Sequence, residues 1–500
     1  MDKSIIIIGS GIAGLSTGCY GQMNGYNTRI FEMHDLPGGL CTSWKRKGYT
    51  IDGCMHFLLG SNPGTGFYRI WEELGAVQGR QIVNQDEYVR FEGEGEQVFH
   101  VYTDIDRLEH HLNELAPDDE EVIEEVIKAA YQCTRFEIPV GKARELYSLV
   151  DYIRMMPKMI PIIRFMSKWG KISTLDLANR VKHPLLRQFL LTYAEIPDYS
   201  MIVLLMAIAW HHQKQAGYAV GGSLEFARAI ERRYLDLGGE INYKSKVARI
   251  LVENDRAVGI QLADGTEHYS DIVISAADGR TTIFDMLEHK YINNEIQDLY
   301  DNSPLFPPLI QIALGVSRSF DEIPHLVSGI NYPVEEPVTI AGQKVTRLGV
   351  HIYNYDPGSA PEGKTILKVL LNSDYDYWKE LRQDTNRYRE EKKIIADKVI
   401  SLLEQRFPGF KDQVEMTDVA TPMTWERYTG NWRASHEGWL MTTKNLNMRL
   451  RKTLPGLSNF YMAGQWVMPG GSLPYVAVSG RDVIQIICKK DKKKFVTTTP

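Results

Sequence analysis

The chain has 500 residues, 43% of them hydrophobic and 24% charged, with a formal net charge of −6 at pH 7. That length suits two or three domains with a sizeable core, and the acidic balance argues against nucleic acid, whose binders carry a basic excess. The five cysteines (Cys19, Cys41, Cys54, Cys133, Cys488) form no CxxC pair, which argues against a disulfide framework or zinc site and fits a reducing cytoplasm; no secretory leader and no apolar run of spanning length is legible.

Ser4–Ile8 is a β-branched run and reads as a buried parallel strand. Gly9, Gly11 and Gly14 follow as GxGxxG, residues 12–24 read as a helix, and "NTRIFE" (27–32) reads as a second strand ending in Glu32, 18 positions after Gly14. Strand, glycine turn, helix, strand and distal acid are together the dinucleotide fingerprint. Gly9 makes the tight turn, Gly11 lets backbone approach a pyrophosphate, and Gly14 lets helix and strand pack closely. The helix N-terminus faces the phosphates, and Glu32 accepts from a ribose hydroxyl pair. Both FAD and NAD use this pattern. Gly38-Gly39, a short loop after the second strand, would let another backbone segment approach the same cofactor. An NAD domain would continue instead into another crossover helix and strand.

His56 in "DGCMHF" is a candidate proton donor or acceptor, or a structural histidine. Residues 61–214 are expected to be mainly helical. Within them, 144–171 combine Leu146, Leu149, Val150, Ile153, Met156, Ile160 and Ile163 with Arg144, Arg154, Lys158, Arg164, Lys168 and Lys171. That pattern fits a helix on an anionic membrane surface and equally a cap helix on the core; Pro157 and Pro161 are expected to break it. The apolar 198–213 reads as a buried helix near the flavin, and His211-His212 lack metal-ligand spacing.

From 219, "AVGGSLEFARAIERRYLDLGG" reads as a helix with Ser223 as N-cap and Gly238-Gly239 as its stop. Strands follow, with a hairpin turn at 263–265 and a buried "DIVIS" strand. Residues 285–430 carry strands at 309–316, 347–355 and 365–373 and a helix at about 377–406. The run 424–439, with Trp425, Tyr428, Trp432 and Trp439, is read as a tunnel wall or cofactor cover, or as a strand and turn. "NFYMAG" is a strand, and "LPYVAVSGRDVIQIICKK" a helix with Pro474 in its first turn. The basic tail after it reads as a solvated or membrane-attracted end. No second GxGxxG, no HExxH and no cysteine within 464–475 is present.

GSGIAG (9–14), FEMHDLPGG (31–39), DGCMHF (52–57), VGGSLEFARAI (220–230), 245–265 and AGQWVMPGG (463–471) occur in this order, and the chain resembles the FAD-dependent amine-oxidase-like superfamily, most of all its phytoene desaturase, carotenoid isomerase and retinol saturase group. The resemblance implies an α/β fold: a Rossmann-like FAD-binding domain assembled from 1–60, 215–284 and 431–500, a helical cap at 61–214, and a substrate-domain sheet and helix at 285–430. It places Gly9, Gly11, Ala13 and Gly14 at the pyrophosphate, Glu32 at the adenosine ribose, Gly39 at the phosphates and Val247 at the adenine. Gly464 and Gln465 go to the ribityl–phosphate, and Gly471, Ser472 and Leu473 to the pyrimidine edge of the flavin. Leu40 stands where the group often has Arg, so that phosphate contact is missing or comes from elsewhere, with Lys45 or Arg46 as candidates, and Gln465 stands where it usually has an acid. The implied activity is hydride transfer between flavin N5 and an elongated apolar unsaturated substrate. A flavin amine oxidase, using Tyr475 and the tryptophans of 424–439, and a redox-neutral isomerase or hydratase are the alternatives. The expected setting is cytoplasmic, with peripheral membrane contact through 144–171 as a further expectation; the electron donor or acceptor stays open.

Overall fold

The isoleucines of Ser4–Ile8 form the central strand of a five-stranded, all-parallel sheet in the computed structural model, which describes residues 3–193, 196, 198–446, 448, 450–468 and 470–500. The strand order is Glu240–Asn242, Asn27–Phe31, Ser4–Ile8, Ile272–Ser275, Phe460–Met462. Ile5 to Ile8 are all buried because both faces are covered, one by helices and the other by the antiparallel strands Val247–Glu253 and Arg256–Leu262 and the 281–286 turn. On one face lie the Ile12–Met23, Gly222–Asp236 and Leu473–Lys490 helices. The first and last of these cross closely, since a Cβ on Gly480 would lie 2.7 Å from the Ala13 carbonyl. Residues distant in sequence therefore supply adjacent strands of one sheet.

A second, seven-stranded mixed sheet runs in the order Val414–Ala420, Leu309–Val316, Thr365–Asn372, Gln343–Ile352, Gly329–Ile340, Glu87–Glu92, Val98–Tyr102. Its outermost two strands come from 61–214, so that segment, though mainly helical, also extends the substrate-side sheet. Its helices, including the apolar Met201–His212, pack on the last two strands through their own core. The helix expected at 377–406 is two, Tyr375–Leu381 and Thr385–Arg406. The second starts at Asp384, whose carboxylate accepts from the Asn386 and Arg387 amides.

Other expectations are corrected. Pro157 and Pro161 do not break their segment: Leu149–Trp169 is one α-helix, started by a reciprocal Ser148–Asp151 capping box. Both prolines are exposed, so the carbonyls of Ile153 and Pro157, deprived of an intrahelical donor, face the outside of the molecule. The helix from 219 starts from Gly221 at φ +94°, and the Ser223 hydroxyl is committed elsewhere. The run 424–439 forms no strand; it holds the Pro422–Thr429 helix and a 3-10 turn at Trp432–Ala434. The C-terminal tail is not free: Val496 exchanges hydrogen bonds with the Asn24 side chain, and Phe495 packs on Tyr20.

Candidate active site

The glycine-rich turns meet at the carboxyl ends of the parallel strands, where open α/β sheets bind ligands. The Gly9 amide donates to the Phe31 carbonyl at 2.8 Å, and Gly9 has φ +94°. Gly14 is required by contact, because a Cβ there would sit 1.9 Å from the Gly9 carbonyl oxygen. Gly11 differs. It is the helix N-cap at φ −62°, ψ 172°, and a Cβ would meet nothing closer than the Gly38 carbonyl at 3.9 Å. The protein leaves room at Gly11 that a side chain would fill, which is the signature of a cradle for something else.

Gly38 bridges Gly11 and donates its amide to Ser10 O at 2.9 Å, and Gly39 lies over Gly11. Glu32 is buried; one carboxylate oxygen accepts from the Ser10 amide and hydroxyl at 2.7 and 2.8 Å, the other from the His34 amide at 2.8 Å. The second oxygen keeps acceptor capacity. Val247 opens its strand nearby, since Ser245 N donates to Glu32 O at 2.8 Å. Gly464 (φ +105°) donates to Ser479 Oγ and stands against Ala13. Gln465 is turned to Asn431 and the Ser435 carbonyl. Gly471 is pressed on the Glu437 backbone, Ser472 is the N-cap of the last helix, and Leu473 is its first residue. Ser472 Oγ is buried and has no hydrogen-bond partner among the described residues. Lys45 and Arg46 lie on an exposed hairpin, where Arg46 pairs with Asp418.

These residues fit FAD: a glycine cradle that a Cβ would intrude upon at a helix N-terminus, an acid at the ribose distance, and an orphaned hydroxyl beside a second helix N-terminus.

One linchpin was not read from the sequence. The Asp52 carboxylate accepts from the Ser223 hydroxyl (2.7 Å) and amide (2.6 Å) and from the Cys54 and Met55 amides (2.8 and 2.9 Å). It thereby ties the N-terminal segment to the start of the Gly222–Asp236 helix. Asp52→Ala is expected to lower stability by about 3 kcal/mol, because four donors lose their acceptor; urea unfolding with and without added flavin measures it.

His56 belongs to a chamber wall. His56, Tyr88, Tyr193, Tyr199, His211, His351, His436 and Glu437 each keep an accessible patch. Yet burial dominates the titration of all of them, from which we infer that they line space inside the molecule. His56 stacks on His351 at 4.7 Å, Phe57 meets His211 at 5.3 Å, Phe306 meets His436 at 5.3 Å and Tyr199 at 6.4 Å. Since Gly471 rests on Glu437, the chamber abuts the flavin-side segment. Burial pushes Glu437 up to about 7, His351 down to about 3, and His211 and His436 down to about 4; His56 is also held low, by burial and then by Lys368. Trp432 and Trp439 are not wall residues but pack with Tyr300 and Trp466 in a core cluster.

A pH dependence follows. An unfolded imidazole titrates near 6.5, so these four histidines contribute stability that is present above 6.5 and lost as pH falls through their lowered values. Glu437 runs the other way: its contribution is present below about 4.5 and lost as pH rises through about 7. Four groups outweigh one, and stability is expected to fall between pH 6.5 and 4, with His211 alone accounting for on the order of 3 kcal/mol. Urea midpoints across that range, flattened in His211→Phe, check the sign.

Outside the chamber, a cleft of about 2760 Å³ lies under the Leu149–Trp169 helix. Its walls include Phe67, Met159, Trp210, Met441, Met468 and Tyr475, the last in the first turn of the helix capped by Ser472.

Fold and site together define a dinucleotide-dependent oxidoreductase built around a divided Rossmann-like domain. The chain belongs to the family described as flavin containing amine oxidoreductase, whose family model matches residues 12–487, and it is an FAD-dependent enzyme of that kind. It is 26% identical over 497 residues to prolycopene isomerase, chloroplastic, of Daucus carota, covering 95% of this chain and 78% of that one. It is 23% identical over 509 residues to the lycopene-forming phytoene desaturase of a Paracoccus species, covering 97% of each. Wild-type putrescine oxidase bound to putrescine shares the fold at a TM-score of 0.61 and 11% identity, over 98% of this chain and 99% of that one.

Proposed function

We propose that this enzyme moves a hydride between its flavin and an elongated, largely apolar, unsaturated substrate that reaches it from a membrane surface. The observation that carries the reading is the Leu149–Trp169 helix. Only Phe165 and Trp169 of it are buried, while Leu149, Val150, Ile153, Met156, Ile160 and Ile163 are 44–75% exposed. Arg154, Lys158, Arg164 and Lys171 surround them. Such a helix lies in a headgroup layer with its cations on anionic lipid. No helix among the described residues is long and apolar enough to cross a membrane. The helix roofs the cleft, so an apolar molecule dissolved in the leaflet enters beneath it toward Tyr475 without crossing water. Relatives named for carotene chemistry agree with a substrate of this class.

FAD, when bound, supplies hydride acceptance or donation at N5. The chain's own residues hold and orient. The Gly9–Gly14 turn and Gly39 receive the pyrophosphate, Glu32 the ribose, and the helix N-terminus at Ser472 offers positive dipole to the flavin's polar edge. The chamber excludes bulk water. Glu437, titrating near neutrality beside Gly471, can hold or release a proton at its carboxylate oxygen while the substrate carbons change hydrogen count. That same property favours a second reading, redox-neutral isomerisation, among the activities of the relatives.

The test is anaerobic turnover of vesicle-borne polyenes by flavin-loaded protein. Gain or loss of a double bond supports the first reading, geometric change without net electron transfer the second, and hydrogen peroxide release from amines neither. In the same assay Glu437→Gln is expected to lower turnover by about 100-fold, the usual scale for a lost proton-transfer group, with flavin content unchanged.

A further inference from the structure

Lys368 is the buried group that the reading above does not use. It lies on Thr365–Asn372, a strand inside the seven-stranded sheet, and is 2% exposed. Its ammonium donates to the Asp52 carbonyl at 3.2 Å, an oxygen that already accepts from Gln311 at 3.1 Å. No carboxylate lies within ion-pairing distance of it among the described residues; the carboxylate of Asp52 is taken up by Ser223, Cys54 and Met55. Around it lie His56 and His351, the ring of Tyr353 at 5.2 Å and, beyond pairing distance, the Asp52 carboxylate whose charge still acts on it. Two of these hold polar atoms with no partner among the described residues, His56 Nδ1 and the hydroxyl of Tyr353, the latter on a side chain only 4% exposed. A lysine sealed in protein with no carboxylate paired to it directly, and with unpartnered polar atoms beside it, is costly unless a ligand completes it. A pure hydrocarbon cannot, having no acceptor. A carboxylate can, since it is acceptor-only and takes the lysine and further donors at once.

We propose that the Lys368–His56–Tyr353 cluster is the seat of a carboxylate, and that the substrate is an unsaturated acid whose chain occupies the chamber. This rests on the apolar-substrate reading and narrows it from a hydrocarbon to an amphiphile. Lysine supplies charge and the neutral imidazole and phenol supply aim, while the rings of the chamber take the chain.

The experiment is calorimetric titration of the flavin-loaded full-length protein with dodecenoate, dodecenol and dodecene, repeated on Lys368→Met and Lys368→Arg. The expected result is dodecenoate binding at least about tenfold tighter than dodecenol, as for a charge-assisted hydrogen bond. The preference is expected to vanish in Lys368→Met and to persist in Lys368→Arg, with dodecenol affinity unchanged throughout. Equal binding of all three by the wild-type protein overturns the assignment and leaves the apolar reading standing; because it needs no variant, it is immune to misfolding. Failure of all three to bind overturns both. A Lys368→Met protein that keeps the preference but has a lowered flavin reduction potential also overturns it, placing the charge in service of the cofactor.

Discussion

Gly11→Ala is expected to give a folded protein that holds its flavin about 100-fold more weakly, whereas Gly14→Ala, three residues on, is expected to lose more than about 3 kcal/mol of stability before cofactor is considered. The two glycines serve different partners. At Gly14 the would-be Cβ overlaps the Gly9 carbonyl at 1.9 Å, and both atoms are backbone that cannot move aside. At Gly11 the backbone is extended, φ −62°, and the nearest atom is 3.9 Å away, so alanine costs the apoprotein almost nothing. What the methyl enters is the space at the helix N-terminus where a pyrophosphate would lie against backbone amides. Thermal unfolding of apoprotein and flavin titration of each variant separate the effects. A Gly11→Ala protein binding flavin as tightly as wild type would show that the cradle lies elsewhere.

The second large effect is expected at the exposed helix. Replacing Ile153, Met156 and Ile160 together by Glu should leave the unfolding midpoint within a few degrees, because all three are more than 40% exposed and none belongs to a buried cluster. Binding to anionic vesicles should fall by about 1000-fold, from roughly 4 kcal/mol of apolar burial forgone. Turnover of a short substrate free in solution should persist while turnover of the vesicle-borne one is lost. Co-sedimentation and the two assays read these outcomes; unchanged vesicle binding would return the helix to a simple cap.

The cofactor half of the site was legible because its information is local. Isoleucine run, spaced glycines, helix and distal acid fall within 32 residues, and each has a steric or electrostatic reason to be what it is. The strand at 309–316 was legible for the same reason, as an uninterrupted apolar run. The chamber was not. Lys368 and His351 sit on strands of ordinary appearance and meet only because Gln343–Ile352 pairs with Thr365–Asn372, placing His351 directly opposite Lys368. His56 was noticed as a lone histidine; its partners come from residues almost 300 and 400 positions away. Asp52 and Ser223 were each visible, but Ser223 read as a helix cap, and only tertiary folding shows its hydroxyl on Asp52. The prolines at 157 and 161 misled because the rule against them is priced for a helix whose carbonyls are buried, and these are not.

The most direct test of the whole account is to mix the photoreduced holoprotein with a vesicle-borne unsaturated substrate and the oxidised holoprotein with its saturated counterpart, both anaerobically, and record the flavin's visible band alongside product analysis. The account predicts that one member of the pair changes the band in step with loss or gain of a single carbon–carbon double bond. A band that responds to neither and to amines instead would contradict it.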